Sequence, residues 1–265
     1  MTVQVSEKGA PLSELAERGA AYALEILKEQ AESLSVVREK AANLSVSAVY
    51  PEVVNKMISA CQSLNDPTLT PLAAVAGAAS DMVADYIAGI GATKIIVNNG
   101  GDIAIRLREG EKATVGLRLS LMRRHHDYVA VVERDCGICT SGVGGRSFTL
   151  GVADGVTVLA INAAKADAAA TFLANRTTVN SPEIKMVPAE TVYPETDIPG
   201  LNITRSIGFL NRNEIRSAID KGETEAMKLI KKNIIQGAIF SVKDFVKSVG
   251  YFRNILSLKN NYPSY

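Results

Sequence analysis

Residues 94–107 read Lys-Ile-Ile-Val-Asn-Asn-Gly-Gly-Asp-Ile-Ala-Ile-Arg-Leu, and this stretch decides how the middle of the chain folds. The apolar run Ile95–Val97 predicts a short buried strand, and a second strand is predicted from Ile103 onward. Asn-Gly and Gly-Asp between two strands are typical of a tight turn. Glycine also lets backbone N–H groups approach a ligand, and asparagine supplies neutral hydrogen bonds. Local sequence favours the turn, while a ligand-binding loop formed by Asn98, Asn99, Gly100, Gly101 and Asp102 stays open.

A second polar, glycine-rich segment follows, Thr140-Ser-Gly-Val-Gly-Gly-Arg-Ser147. It fits neither a Walker loop nor a dinucleotide fingerprint in its spacing. Three glycines among hydroxyl groups and one arginine favour an anion-accepting nest of backbone amides. We therefore expect a small polar or phosphate-bearing ligand, contacted by Thr140, Ser141, Gly142, Gly144 and Arg146.

The alanine-rich stretch that follows carries Asp167 and Thr171, four residues apart. On a helix this spacing points the carboxylate and the hydroxyl the same way. Hard oxygen donors on one face suit Mg²⁺, and water and substrate phosphates would complete its coordination shell. The alternative is an ordinary amphipathic helix whose aspartate is solvated.

The order of elements predicts an α+β fold with a mixed or antiparallel sheet and packed alanine-rich helices. Small and apolar residues at helical spacing predict helices near 11–33, 51–61, 71–90 and 163–175. At 265 residues, one large domain and two closely packed halves are both possible. We expect a single domain over 1–265, with a motif core at about 71–176 and a helical tail at about 211–265.

Bulk composition excludes several classes of protein. The net charge of +1 gives no electrostatic reason to expect nucleic acid or an anionic membrane as partner. No apolar run approaches a membrane span, and the first residues lack the order of a secretory signal. We therefore expect a cytoplasmic protein that forms a homodimer, with residues 241–265 packing against the partner subunit.

Cys136-Gly-Ile-Cys139 has the spacing of a dithiol or of half a zinc site. The third cysteine, Cys61, lies far upstream, so a four-cysteine zinc site is excluded and two reduced, partly buried thiols are favoured. His125 and His126 are the only histidines, and a solvated basic connector is favoured over a metal site.

Taken together, these segments resemble the ApbE superfamily, whose best-known members are FAD:protein FMN transferases that require Mg²⁺. The resemblance implies that Asp167 and Thr171 lie at the metal and that FAD or FMN is the cofactor or substrate. Five matches in order carry it: Gly77–Asp81, Asn99–Asp102, Ser141-Gly142, Val156–Val158 and Asp167 with Thr171.

A shorter branch of that superfamily, linked to sulfur assimilation into homocysteine, is more similar still, through Ala73–Ala78, Ala153–Val158 and Ala166–Thr171. Flavin transferases carry a lysine where this chain has Ala76, and the span from Gly142 to Ala153 leaves no room for their long insertion. The short branch often has a histidine where this chain has Arg146. A Mg²⁺-assisted transferase is therefore favoured over flavin transfer itself. A non-catalytic flavin- or nucleotide-binding protein and a thiol carrier remain alternatives.

Overall fold

The computed structural model describes residues 1–108, 110–120, 128–145 and 147–258. The helices are α1 Ser13–Glu32, α2 Leu34–Val37, α3 Glu52–Gln62, α4 Val75–Gly89, α5 Ala163–Arg176, α6 Ala189–Val192, α7 Arg212–Lys231 and α8 Phe252–Ile255. The strands are β1 Thr2–Glu7, β2 Ala10–Pro11, β3 Lys94–Asn99, β4 Asp102–Leu107, β5 Ala113–Leu117, β6 Tyr128–Val132, β7 Cys136–Ser141, β8 Gly155–Ala160, β9 Ile184–Pro188, β10 Asn202–Ile207, β11 Gly237–Val242, β12 Phe245–Gly250 and β13 Leu256–Leu258. Helices together with antiparallel strand pairs confirm the predicted α+β class.

The chain divides into two compact units. Unit 1 comprises Met1–Val115, Val131–Cys139 and Leu159–Ala168. Unit 2 comprises Gly116–Ala130, Thr140–Val158 and the chain from Ala169 onward. The division falls inside helix α5, so Asp167 belongs to unit 1 and Thr171 to unit 2.

Unit 1 is built on an antiparallel sheet whose central hairpin is β3–β4. β1 pairs with β3 in antiparallel register, with Val5 opposite Ile95, and β7 pairs with β4, with Gly137 opposite Ala104. Every residue of β4 from Asp102 to Arg106 is buried, as expected for a strand with neighbours on both sides.

Helix α4 of unit 1 is the alanine-rich segment predicted for 71–90, and a 3-10 turn over Pro71–Ala74 precedes it. Nine of its fifteen residues are buried, because small side chains let neighbouring backbones approach closely. The packing against α1 shows the same principle, since a Cβ on Gly19 would lie 2.5 Å from Cδ1 of Ile87.

Unit 2 includes the long helix α7 and antiparallel strand pairs, among them β6 with β13. Asn211 forms a capping box at the start of α7, because its side chain accepts from the amides of Asn213 and Glu214. β11 and β12 form an antiparallel hairpin, and β9 pairs with β10.

Within the expected helical tail at 211–265, the described residues are helical in α7 and in the short helix α8. The following run Gly237-Ala-Ile-Phe-Ser-Val242 is fully buried strand β11, and it returns as β12 through a turn in which Lys243 has a φ of 53°. A β-branched and aromatic apolar run favours a strand over a helix, and this signal outweighs the charged residues of the tail. Across the described part of the chain, no helix combines the length and apolarity needed to cross a membrane.

Candidate ligand and metal site

The Asn98–Asp102 segment forms the turn of the β3–β4 hairpin, as the local sequence predicts. Asn99 pairs with Asp102, which leaves Gly100 and Gly101 as a two-residue loop with φ values of 73° and 114°. Two consecutive positive φ values suit glycine and match the twist of a hairpin. Oδ1 of Asn98 accepts a hydrogen bond of 2.8 Å from the amide of Gly101 and so fixes the turn from inside.

Helix α4 anchors this turn from one side. Oγ of the fully buried Ser80 donates a hydrogen bond of 2.9 Å to the carbonyl oxygen of Asp102. The Asp102 side chain itself is nearly buried, with 9% of its surface exposed. The hairpin tip therefore holds a carboxylate at a fixed place in unit 1.

Asp167 is not a solvated residue of an amphipathic helix. It is 8% exposed, and its Oδ2 accepts a hydrogen bond of 2.8 Å from the backbone amide of Gly77 in the first turn of α4. The N-cap residue of α4, Ala74, makes no side-chain capping bond, so Asp167 satisfies one of the helix's open amides from a distant segment. Negative charge at this end of a helix is stabilised by the helix dipole.

Asp81, at the end of the Gly-x-x-x-Asp motif, lies on α4 and caps the start of α5, just as Asp167 on α5 caps the start of α4. Its two carboxylate oxygens accept from the amides of Ala163 and Ala164, at 3.0 and 2.8 Å, in the first turn of α5. Arg106 donates to the same carboxylate at 2.9 Å. Asp81 is fully buried, so its role is to hold the start of α5 rather than to meet a ligand.

The buried thiol of Cys139 donates a hydrogen bond of 3.3 Å to the carbonyl oxygen of Ala163, at the start of α5. Burial is the main cause that raises the pKa of this thiol, and the negative charges of Asp102, Asp167 and Asp81 raise it further. The hairpin turn, helix α4 and the start of α5, which are far apart in sequence, therefore meet within unit 1. Sequence reasoning did not place Cys139 here, although it singled out the Cys-Gly-Ile-Cys segment.

The Ser-Gly loop of unit 2 follows directly after β7. The amide of Val143 donates to the carbonyl of Ala153 at 2.9 Å, and Gly144 has a φ of 84°. A Cβ on Gly142 would lie 2.6 Å from the carbonyl oxygen of Asp154, so only glycine fits there. The loop is thus a fixed structure that requires its glycines.

Two hydroxyl pairs border this loop. Oγ1 of Thr171 lies 3.5 Å from Oγ of Ser141, so the predicted metal-side threonine and the predicted loop serine do meet. Oγ1 of Thr140 and Oγ1 of Thr157 are hydrogen-bonded at 2.8 Å. The predicted residues Arg146, His125 and His126 lie outside the described residues.

The donor set on α5 is compatible with Mg²⁺. Asp167 and Thr171 offer a carboxylate and a hydroxyl, both 8% exposed, one helical turn apart. In the part of the chain that the structure describes, no cluster of three or more His, Cys, Asp or Glu side chains could hold a metal by itself. Mg²⁺ does not require such a cluster, since it keeps several waters and uses one or two carboxylates plus substrate phosphates.

Cys136 and Cys139 do not have the properties of a thiol carrier. Both are free and no more than 1% exposed, and burial raises the pKa of Cys136 to about 12. A reactive cysteine needs an accessible thiol with a low pKa. The expectation of two reduced thiols agrees with this geometry, and burial is more complete than predicted.

Known proteins similar to this chain fall in one group. A family model described as "AbpE bacteria" matches residues 1–251. The UPF0280 protein of Methanopyrus kandleri is 38% identical over 135 residues, which cover 50% of this chain and 52% of the relative. The UPF0280 protein of Methanothermobacter thermautotrophicus is 40% identical over 116 residues, which cover 43% of this chain and 44% of the relative. This chain thus spans about half the length of these curated relatives.

Two solved structures are also similar. The apo form of the flavinyl transferase ApbE from Pseudomonas stutzeri has 17% identity and a TM-score of 0.41, covering 71% of this chain and 50% of that chain. A mutant of the flavin transferase ApbE from Vibrio cholerae has 15% identity and a TM-score of 0.49, covering 94% and 92%. The match of the family model over nearly the whole sequence confirms the resemblance drawn from the motifs, and the chain belongs to the ApbE-like family described as "AbpE bacteria".

Proposed function

We propose that this protein binds a small polar or phosphate-bearing ligand together with Mg²⁺ and acts on that ligand as a transferase. The observation that supports this most is that Asp167 and Asp102 both lie against helix α4 of unit 1, at Gly77 and Ser80 respectively. The residues Asp102 and Asp167 are 9% and 8% exposed, whereas Asp81 is fully buried. Carboxylates gathered at low exposure create a negative potential that a divalent cation would neutralise.

In this proposal Asp167 and Thr171 hold the cation. Bound Mg²⁺ would stabilise the charge that develops on phosphate oxygens during group transfer. The residues of the chain bind and orient the ligand. From the sequence, ligand contacts are assigned to two loops: Asn98, Asn99, Gly100, Gly101 and Asp102 in the first, and Thr140, Ser141, Gly142, Gly144 and Arg146 in the second.

The proposed chemistry rests on positioning and electrostatic stabilisation more than on a protein nucleophile. Cys136 and Cys139 are buried and have raised pKa values, so neither is suited to carry sulfur covalently. If the link of the short branch to homocysteine formation extends to this chain, the sulfur would therefore enter on a bound substrate. Transfer of FMN from FAD is the narrowest form of the proposal, and Ala76 in place of the transferases' lysine weakens it.

Calorimetric titration with FAD, FMN and ADP, each with and without Mg²⁺, tests the proposal. We expect at least one probe to bind in a Mg²⁺-dependent way. Asp167→Asn and Thr171→Val should weaken that binding by about tenfold or more, as loss of a metal ligand usually does. Glu32→Gln is the matched control, because Glu32 also lies on a helix but is exposed and pairs with Lys28 on the same helix.

Two results would contradict the proposal. Binding that is indifferent to Mg²⁺ and to Asp167→Asn would favour a non-catalytic binding protein. Absence of binding for all three probes would remove the phosphate-bearing class. For the narrow form, mass spectrometry after incubation with FAD, Mg²⁺ and a threonine-containing acceptor protein would detect covalent FMN.

A further inference from the structure

Helices α4 and α5 cap each other within unit 1. Asp81 of α4 accepts from the first two amides of α5, and Asp167 of α5 accepts from the amide of Gly77 in the first turn of α4. Each aspartate thus lies at the positive end of the other helix. The place of Asp167 depends on where α5 starts, and Asp81 determines that start.

The two helices are in such close contact that no additional atom fits between them. A Cβ on Gly77 would lie 2.3 Å from the carbonyl oxygen of Ala163 and 2.7 Å from Cβ of Asp167. A Cβ on Gly137 of β7 would lie 2.3 Å from Cα of Ala163. Ala163 is therefore closely packed between α4 and β7, and Asp167 lies one helical turn later in α5.

Arg106 holds Asp81 in place from the sheet side. It is 8% exposed and spans two carboxylates, with one guanidinium nitrogen 2.9 Å from Asp81 and Nε 2.7 Å from Asp85. Burial alone would lower the pKa of Arg106, but hydrogen bonds and charges from Asp85 and Asp81 outweigh it and raise that pKa. Arg106 is thus a permanent cation that fixes the orientation of the Asp81 carboxylate.

We propose that Asp81 and Arg106 are positioning residues for the cation-binding carboxylate of Asp167, an inference that rests on the proposed function. Arg106 orients Asp81, Asp81 fixes the first turn of α5, and that turn places the Asp167 carboxylate on the Gly77 amide. Neither Asp81 nor Arg106 touches the ligand. A purely structural role would affect folding of the unit without changing the geometry at Asp167.

Two measurements on the full chain separate these roles. The first is the NMR shift of the Gly77 amide proton, which reports the hydrogen bond to Asp167 without any ligand. The variants are Asp81→Asn and Arg106→Lys, with Asp167→Ala as the reference for complete loss and Glu32→Gln, at an exposed carboxylate of α1 paired with Lys28, as the control. Arg106→Lys is the milder variant, because it keeps the positive charge but cannot hold two carboxylates in a planar fork.

The second measurement is the affinity for Mg²⁺ with FAD, FMN or ADP, whichever the wild type binds. We expect Asp81→Asn and Arg106→Lys to move the Gly77 amide toward the Asp167→Ala position. We also expect a loss of affinity of about tenfold, the range for groups that orient metal ligands. Glu32→Gln should leave both readouts near wild type, and circular dichroism should show that all variants stay folded.

An unchanged Gly77 amide in Arg106→Lys would overturn the proposal, and so would a moved amide with unchanged affinity. If the wild type binds none of the probes with Mg²⁺, the proposed function fails together with the cation's part in this inference. The Gly77 amide would then still decide whether Asp81 and Arg106 position Asp167, so the two failures are distinguishable.

Discussion

Replacing Gly77 by alanine tests whether the contact between α4 and α5 is as close as the structure indicates. The new Cβ would lie 2.3 Å from the carbonyl oxygen and 2.6 Å from the carbonyl carbon of Ala163, well inside the roughly 3.5–4.0 Å of a favourable contact. The carbonyl has no room to move, because the Ala163 amide is bonded to Asp81 and its Cα lies against Gly137. The helices must therefore separate, and the bond from the Gly77 amide to Asp167 is lost.

The expected magnitude follows from three terms. Alanine in place of glycine inside a helix contributes about 1 kcal/mol of stability. Overpacking costs about 1–3 kcal/mol, and the lost hydrogen bond to a charged group costs about 1.5–3 kcal/mol. The net loss in the free energy of unfolding is therefore about 3 kcal/mol, measured by urea unfolding with linear extrapolation.

Gly89→Ala is the matched control for Gly77→Ala. Gly89 is the last residue of the same helix, and a Cβ there would meet nothing within 4 Å. This variant should be as stable as the wild type or gain up to about 1 kcal/mol. If Gly77→Ala is no less stable than Gly89→Ala, the close packing of α4 on α5 is refuted.

Three further predictions concern single residues. Because folding raises the pKa of Cys136 from 9.0 to about 12, its stabilising contribution is complete below pH 9 and is lost as the pH rises to 12. Unfolding free energies measured across that window should fall by about 1.4 kcal/mol per pH unit more steeply in the wild type than in Cys136→Ala. Asp81→Ala should destabilise the protein by about 3–5 kcal/mol in urea, because it leaves Arg106 buried beside uncapped amides; a loss below about 1 kcal/mol would contradict the assigned role. Gly101→Ala should lower stability by about 1–2 kcal/mol through its φ of 114° alone, since no atom lies within 4 Å of the new Cβ, and an unchanged urea midpoint would argue against this turn geometry.

The parts of the fold that the sequence predicts correctly are those with strong local signals. The two-residue turn at Gly100-Gly101 follows from Asn-Gly-Gly-Asp between two apolar runs, because few other residues adopt two successive positive φ values. Helices α4 and α5 are predicted correctly because both contain runs of alanine, which has a high intrinsic helix propensity.

The parts that the sequence misses depend on partners far away in the chain. Asp81 and Asp85 stand four residues apart in an otherwise apolar helix, and Arg106 stands in a buried strand. Charged residues in buried segments indicate ion pairs, because buried charges need partners. Nothing local, however, says that Arg106 joins both aspartates, or that Asp81 caps a helix that begins at Ala163.

The candidate site shows how one spacing can serve two purposes. Gly77–Asp81 and Asp167–Thr171 are both five-residue helical segments whose end residues stand four positions apart. In the first segment Asp81 caps α5 and is fully buried, while in the second Asp167 and Thr171 are each 8% exposed. Since Asp167 also caps α4, loss of ligand binding in an Asp167 variant does not by itself show that this residue binds a cation. The comparison that decides is between Asp167→Asn and Gly77→Ala. Asp167→Asn keeps an oxygen that can accept from the Gly77 amide but loses the charge that a cation would bind, whereas Gly77→Ala breaks the hydrogen bond and keeps that charge. A Mg²⁺ affinity that falls further in Asp167→Asn would assign the metal to the carboxylate, and a larger loss in Gly77→Ala would assign the effect to the capping contact.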